Sequence, residues 1–199
     1  MIEHPLLSAA DLPTPILHEF AFHQYADSIL WIPMLAQMKG KAARSQRLRD
    51  AIADNIAHEA GLHATSHVAL AVTLMRSLGI RHLDELPTAV LAESAQLWLS
   101  DEFAAFGEPE IAGFLLVAET LVPVMFAALA PSFRRLGADT TYFDEHVHVD
   151  TDEHATWMAE AVEDVLALYG PSAAAAIDRG MADAWDETIA IPEQLWRSR

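Results

Sequence analysis

The 199-residue chain contains no cysteine, which excludes disulfide bonds, thiolate catalysis and every metal site that is held by sulfur. Any metal ion must therefore be bound by histidine, aspartate and glutamate. The chain is also poor in basic residues, with 12 Lys and Arg against 29 Asp and Glu, so its formal net charge is -17. Such a charge repels a phosphate backbone, and we expect no nucleic-acid partner.

The first residues lack the basic segment followed by an apolar segment that a secretory signal has, and we expect a cytoplasmic protein. One run, residues 111–130, is long and apolar enough to cross a membrane. Glu119 and Pro123 interrupt this run near its middle, and a carboxylate at the centre of a bilayer is costly. The run therefore predicts a helix buried in the core of a protein without a membrane partner.

Hydrophobic residues make up 52% of the chain and recur three and four positions apart almost throughout. No segment shows the sustained alternation of a strand, so the sequence predicts an all-α protein, a single compact bundle of six or seven helices over residues 1–199. Proline and glycine residues place the helices at about residues 15–39, 45–78, 87–106, 109–130, 141–169 and 171–189. The tail that follows is expected to pack through Trp196 or to extend into solvent.

Six of the ten histidines lie in two short stretches of the second and fifth predicted helices. Within these stretches, two sets of residues are spaced four apart, which places each set along one face of its helix. The sets are Glu59, His63 and His67, and His146, Asp150 and His154. Two facing helices could therefore present carboxylates and imidazoles to a common centre.

Glu119 is the third element, because a carboxylate in the middle of an apolar helix must be protonated, paired or bound to a cation. Pro123 removes the helical hydrogen bond to the Glu119 carbonyl, so we expect a kink there. Carboxylates from several helices, together with histidines one turn apart, are the ligands of dinuclear iron or manganese centres in helical bundles. Zinc, a haem held by a first-helix histidine, and a solvated charged face remain alternatives at this point.

Metal-bound histidines need partners for their second ring nitrogens. Four residues are near enough in sequence to be candidates: Asp54, Asn55, Asp152 and Glu153. His58 and His148 lie off the two stripes, and we expect them at the surface or beside the ligands.

These residues give the chain a resemblance to the haem-oxygenase-like diiron oxidases and oxygenases. Members carry an Asn with an acid-Glu-x-Gly stretch, a His before a helix that ends in Leu-Gly, a Glu followed shortly by Pro, and an aromatic residue before His-x-x-x-Asp-x-x-His. The chain has NIAHEAG, SHVALAVTLMRSLG, AETLVP and YFDEHVHVDTDEH in the same order, over about residues 18–160. The resemblance implies the haem-oxygenase fold.

The resemblance also implies two iron ions, or manganese in their place, with the second ion bound weakly. The six implied ligands are Glu59, His67, Glu119, His146, Asp150 and His154, with Glu119 as a bridge. O2 would be the co-substrate in the oxygenation, desaturation or oxidative cleavage of a small organic molecule such as an amine, an amino acid or a fatty acid. No catalytic residue beyond the metal ligands is predicted, the electron donor is not identified, and a homodimer is compatible with this interpretation.

The chain departs from the family pattern in three places. Three residues separate Asp150 from His154 where the family has two, so either a local bulge forms or Glu153 replaces the histidine. His63 could replace His67, because this spacing varies in the family. His58 stands where many members have an acid, which makes it a candidate neighbour of the ligands.

Two other classes of function remain open from the sequence. One is a metal-free member of the same fold, either a thiaminase-II-like hydrolase or a cofactor-independent oxidase. The absence of cysteine counts against the hydrolase, since no cysteine nucleophile exists. The other is a helical bundle that binds metal or a protein partner without catalysis.

Overall fold

The computed structural model describes residues 12–62, 64–81, 100–149 and 154–197. These residues form α-helices joined by turns and contain no strand, which confirms the predicted all-α bundle. In chain order the helices are α1 (Thr14–Lys41), α2 (Gln46–Glu59), α3 (His67–Ser77), α4 (Asp101–Ala104), α5 (Glu108–Arg135), α6 (Thr141–Val149), α7 (Ala155–Tyr169) and α8 (Ala174–Arg197), and a 3-10 turn (Pro171–Ala173) precedes α8.

Helix α5 is the central helix and packs against α1, α6, α7 and α8. Its N-terminal half joins an apolar cluster with α1, α2, α7 and α8, and its C-terminal half joins a second cluster with α1, α3 and α6. In the described part of the chain, α5 is the one helix long and apolar enough to cross a membrane, yet 67% of its most apolar window is buried. That burial agrees with the predicted core helix.

Helices α5 and α8 cross in close contact because each contributes a glycine. A Cβ atom at Gly113 would lie 2.1 Å from the carbonyl oxygen of Ile177, and one at Gly180 would lie 2.0 Å from the carbonyl oxygen of Glu110. Backbone oxygens within helices cannot move aside, so any larger residue would push the two helices apart. The crossing fixes α8 against α5, and these helices form two walls of the pocket described below.

The predicted second helix is in fact two helices, and the prediction of one continuous helix over 45–78 was wrong. Gly61 adopts the left-handed conformation, with φ of 76°, and a Cβ atom there would lie 2.5 Å from the Ser66 nitrogen. This glycine ends α2 at Glu59 and turns the chain. Ser66 then caps α3, its hydroxyl accepting a hydrogen bond from the Ala69 amide at 3.3 Å.

Other helix ends differ from the prediction in smaller ways. Helix α5 continues through Pro131 to Arg135, because the buried Phe133 extends its apolar face. Helix α8 continues to Arg197, because Leu195 is fully buried in the second apolar cluster. The tail is thus part of the last helix. The predicted fifth helix is described as α6 and α7, and residues 150–153 between them lie outside the described residues, as does most of the predicted third helix.

A buried carboxylate holds the start of α2 in place. Glu108, at the start of α5, accepts hydrogen bonds from the backbone amides of Arg44 at 3.0 Å and Ser45 at 2.5 Å. It also accepts one from the Tyr169 hydroxyl at 2.6 Å. Since α2 runs from this point to Glu59, the contacts position the end of α2 that enters the functional site.

Candidate metal centre

Glu59 and His67 lie side by side across the turn between α2 and α3. Glu59 Oε2 is 2.8 Å from His67 Nδ1, and both side chains are buried. The two atoms are not aligned for a hydrogen bond, and His67 Nδ1 has no hydrogen-bond partner among the described residues. Two ligand atoms about 2.1 Å from one metal ion lie about 3 Å apart when they meet at a right angle. The pair therefore has the separation that a shared metal ion requires.

His146 of α6 joins this pair. One ligand atom from each of Glu59, His67 and His146 lies within 4.8 Å of the other two, and all three residues are buried. The Nδ1 atom of His146 is 2.7 Å from the Tyr142 carbonyl oxygen. Because a carbonyl only accepts, Nδ1 carries the proton and Nε2 keeps the lone pair that a metal ion needs.

Glu119 of α5 is held from two sides. Its Oε1 accepts a hydrogen bond of 2.5 Å from the Asn55 amide nitrogen, and its Oε2 lies 3.0 Å from Nδ1 of His154. Asn55 and His154 are almost completely buried. Asn55, predicted as a partner of a histidine, thus orients a carboxylate instead.

His154 has a partner at each ring nitrogen. Its Nε2 lies 2.9 Å from Nδ1 of His58, the two rings stack with centroids 5.1 Å apart, and Trp157 packs against both. The bulge expected between Asp150 and His154 falls on residues 150–153, outside the described residues, and stays a prediction. Metal binding by His154 would replace one of its present contacts.

Burial determines the protonation states of Glu59, His67 and His146. It raises the pKa of Glu59 to about 7, with His146 opposing the rise and Glu119 adding to it. Burial also lowers the pKa of His67 and that of His146 to about 4. At neutral pH both imidazoles are therefore neutral ligands, while Glu59 still holds a proton about half of the time. A cation that binds here would displace that proton.

A pocket that is partly open to solvent lies beside these ligands, bounded by α1, α5, α6 and α8. Glu59, Glu119 and His146 form part of its lining. Its apolar wall includes Trp31, Phe114, Val122, Met125, Phe126 and Ile191. A small organic molecule bound there would lie next to the metal ligands.

Sequence reasoning missed the contribution of α1 to this pocket. Gln24, Asp27, Ser28 and Trp31 all line it. They are spaced three and four apart, so they share one face of α1. Three polar residues close together on one face of α1 were the signal that could have revealed this wall.

The structure brings together the side chains of Glu59, His67, Glu119, His146 and His154, with His58 beside them. Four helices, α2, α3, α5 and α6, and the start of α7 thus contribute, where the prediction placed Glu59 and His67 on a single helix. His148 is exposed. His63, Asp150, Asp152 and Glu153 lie outside the described residues, and their predicted roles stay predictions.

Comparison with known protein families identifies the family of this chain. The sequence profile of a protein family described as iron-containing redox enzyme matches residues 16–186, most of the chain. No curated protein matches the sequence.

Proposed function

Because the chain belongs to the haem-oxygenase-like family of iron-containing redox enzymes, we propose that it is a non-haem diiron enzyme that uses O2 to oxidise a small organic substrate. The observation that carries the proposal is the cluster of buried Glu59 and Glu119 carboxylates and three imidazoles, next to a pocket with a mostly apolar wall. Carboxylate and imidazole ligands without sulfur suit redox-active iron, and manganese is the alternative metal.

The described side chains fit a first iron ion well. His67 Nδ1 is a buried nitrogen without a hydrogen-bond partner in the described part of the chain, and it faces a carboxylate oxygen at 2.8 Å. An unsatisfied buried nitrogen is costly, and a metal ion would satisfy it. Glu59, His67 and His146 would hold this ion.

A second ion would be held by Glu119 and His154, with Asp150 assigned from the sequence resemblance. Glu119 would bridge the two ions. Both Glu119 and His154 already have hydrogen-bond partners, Asn55 and His58 among them. A second ion has to compete with these bonds, which supports the expectation that it binds more weakly than the first.

When bound, the iron ions would supply the electrons that reduce O2. The chain contributes orientation and exclusion of water. The Tyr142 carbonyl fixes the tautomer of His146, and Asn55 fixes the rotation of the Glu119 carboxylate. The apolar wall of the pocket would hold the substrate in a nearly dry space beside the ligands.

The pocket also separates the proposal from its alternatives. A metal-storage or scaffold protein does not require an apolar pocket beside its ligands, so the pocket favours an enzyme. The thiaminase-II-like hydrolase would need a cysteine nucleophile, which the chain does not have.

Elemental analysis tests the proposal. Metal-free protein would be given Fe(II) without oxygen, desalted and analysed for iron, and then mixed with O2 while its visible spectrum is followed. We expect up to two iron ions per chain and a transient visible band. Absence of iron uptake would refute the proposal. Glu119→Ala should lower the iron content, whereas Glu163→Ala, on an exposed part of α7, should leave it unchanged.

A further inference from the structure

The pocket beside the metal ligands has an acidic wall that lies apart from the proposed ligands. Asp27 of α1 and Glu187 of α8 line it, both half-buried, on two helices that contact each other. No lysine or arginine lines it in the part of the chain that the structure describes. The charged side chains that line the pocket in this part of the chain are thus carboxylates, which can accept hydrogen bonds from a cationic ligand.

Gln24 is a second, independent sign of a polar ligand. Its side chain lines the same pocket and the residue is only 6% exposed. No described residue forms a hydrogen bond with its side-chain amide; its backbone carbonyl accepts one from Ser28. The Gln24 side chain borders the pocket, so a ligand bound there could donate a hydrogen bond to its carbonyl oxygen. Gln24 and Asp27 lie one turn apart on α1, so both can face one bound group.

We propose that the substrate is an amine with an apolar body, whose ammonium group is bound by Asp27 and Glu187, with the Gln24 carbonyl as a further acceptor. An ammonium has three N–H donors, and these three side chains offer three acceptor groups. The apolar body would lie along Phe114, Met125 and Phe126 towards the metal ligands. This inference deepens the proposed function, because it takes the pocket as the substrate site of the metal centre.

The same pocket disfavours an anionic substrate of similar length. A carboxylate head near Asp27 and Glu187 would be repelled by both. If the carboxylate bound the metal ions instead, the apolar tail would lie against these two charged side chains and remove water from them, which is unfavourable. Of the three substrate types that the sequence left open, an apolar amine fits best.

Binding of three probes with the same hydrocarbon chain tests the proposal: octylamine, octan-1-ol and octanoate. Titration calorimetry would be run at neutral pH on Fe(II)-loaded protein without oxygen and repeated on iron-free protein. We expect octylamine to bind roughly tenfold more tightly than octan-1-ol, because charge-assisted hydrogen bonds add to the same apolar contact. Octanoate should bind more weakly than the alcohol.

Replacing the two acids by neutral amides of similar shape tests whether Asp27 and Glu187 cause the preference for octylamine. The double variant Asp27→Asn, Glu187→Gln should lose the preference for octylamine and keep its affinity for octan-1-ol, which also shows that the pocket is intact. Asp186→Asn is the matched control, because Asp186 is the exposed neighbour of Glu187 on α8. Its binding of all three probes should be unchanged.

Two results would overturn the inference: octanoate binding as tightly as octylamine, or an amine preference that persists in the double variant. The latter would place the ammonium at Glu59 and Glu119 instead. Iron content, measured on the same samples, tests the proposed metal centre separately from the proposed amine substrate. Amine preference without iron uptake would refute the metal function alone, and iron uptake without amine preference would refute the substrate class alone.

Discussion

The Nδ1 atom of His67 lies 2.8 Å from Oε2 of Glu59 without hydrogen-bond alignment, although both side chains are buried. Two buried ligand atoms that lie this close without a hydrogen bond are expected where both normally bind the same cation. The pair also spans the turn between α2 and α3, so an ion bound here would join two helices. Metal binding and folding stability should therefore be coupled.

We expect Fe(II) or Mn(II) to raise the midpoint of thermal unfolding of the metal-free protein. At a free metal concentration of about 100 times the dissociation constant, the free energy of unfolding should increase by about 2.7 kcal/mol. His67→Gln should abolish this gain. His148→Gln is the matched control, since His148 is exposed on α6. An equal gain in both variants would place the ion elsewhere.

Metal affinity should depend on pH through Glu59. Burial raises the pKa of Glu59 to about 7, so below that pH a metal ion must displace a proton from its carboxylate. His67 and His146, with pKa values of about 4, are already neutral there and release none. The affinity for Mn(II) should thus fall by up to about tenfold for each pH unit below about 7, and level off above it.

Calorimetry in buffers with different ionisation enthalpies measures this proton release directly. About one proton should be released per ion at a pH near 6, and fewer at a pH near 8. A Mn(II) affinity that is independent of pH in this range would contradict the assigned role of Glu59.

Asn55 should act as a positioning residue for Glu119. Asn55→Ala removes the 2.5 Å hydrogen bond to Glu119 Oε1 and leaves the carboxylate free to rotate. Residues that orient a metal ligand typically change metal affinity by about 10- to 100-fold. We expect this loss for the second ion and a much smaller one for the first, as measured by iron titration.

Asp54→Ala provides the control, because Asp54 is the exposed neighbour of Asn55 on α2. An equal loss of affinity for both ions in Asn55→Ala, or a similar loss in Asp54→Ala, would show that Asn55 stabilises the fold and does not specifically orient Glu119.

The close crossing of α5 and α8 should make Gly180 intolerant of any side chain. Gly180→Ala would place a methyl group 2.0 Å from the Glu110 carbonyl oxygen, and we expect a loss of about 1–3 kcal/mol in the free energy of unfolding. Gly40→Ala in α1 meets no atom within 4 Å and should stabilise by up to about 1 kcal/mol. Denaturant titration of both variants checks the pair, and equal stabilities would contradict the observed crossing.

The sequence was sufficient to predict the helical fold and five side chains that lie together at the site: Glu59, His67, Glu119, His146 and His154. The predicted ligand Asp150 lies outside the described residues. Histidines spaced one turn apart and a single acid in an apolar helix are local sequence patterns, and such patterns predict which face of a helix a residue occupies. The break between Glu59 and His67 was not predicted, because Gly61 fits a helix interior by sequence alone and reveals its positive φ only in the turn.

The acidic wall of the pocket was not predicted for a different reason. Asp27 and Glu187 are far apart in sequence, and only the packing of α1 against α8 brings them to the same space. Such long-range relationships depend on how helices pack, which a periodic pattern does not specify.

Diffraction from crystals soaked in Fe(II) without oxygen, with anomalous data collected at the iron edge, would locate the metal ions. We expect one strong anomalous peak among Glu59, His67 and His146, and a weaker one between Glu119 and His154. Anomalous density at the exposed surface alone, or none at all, would contradict this expectation.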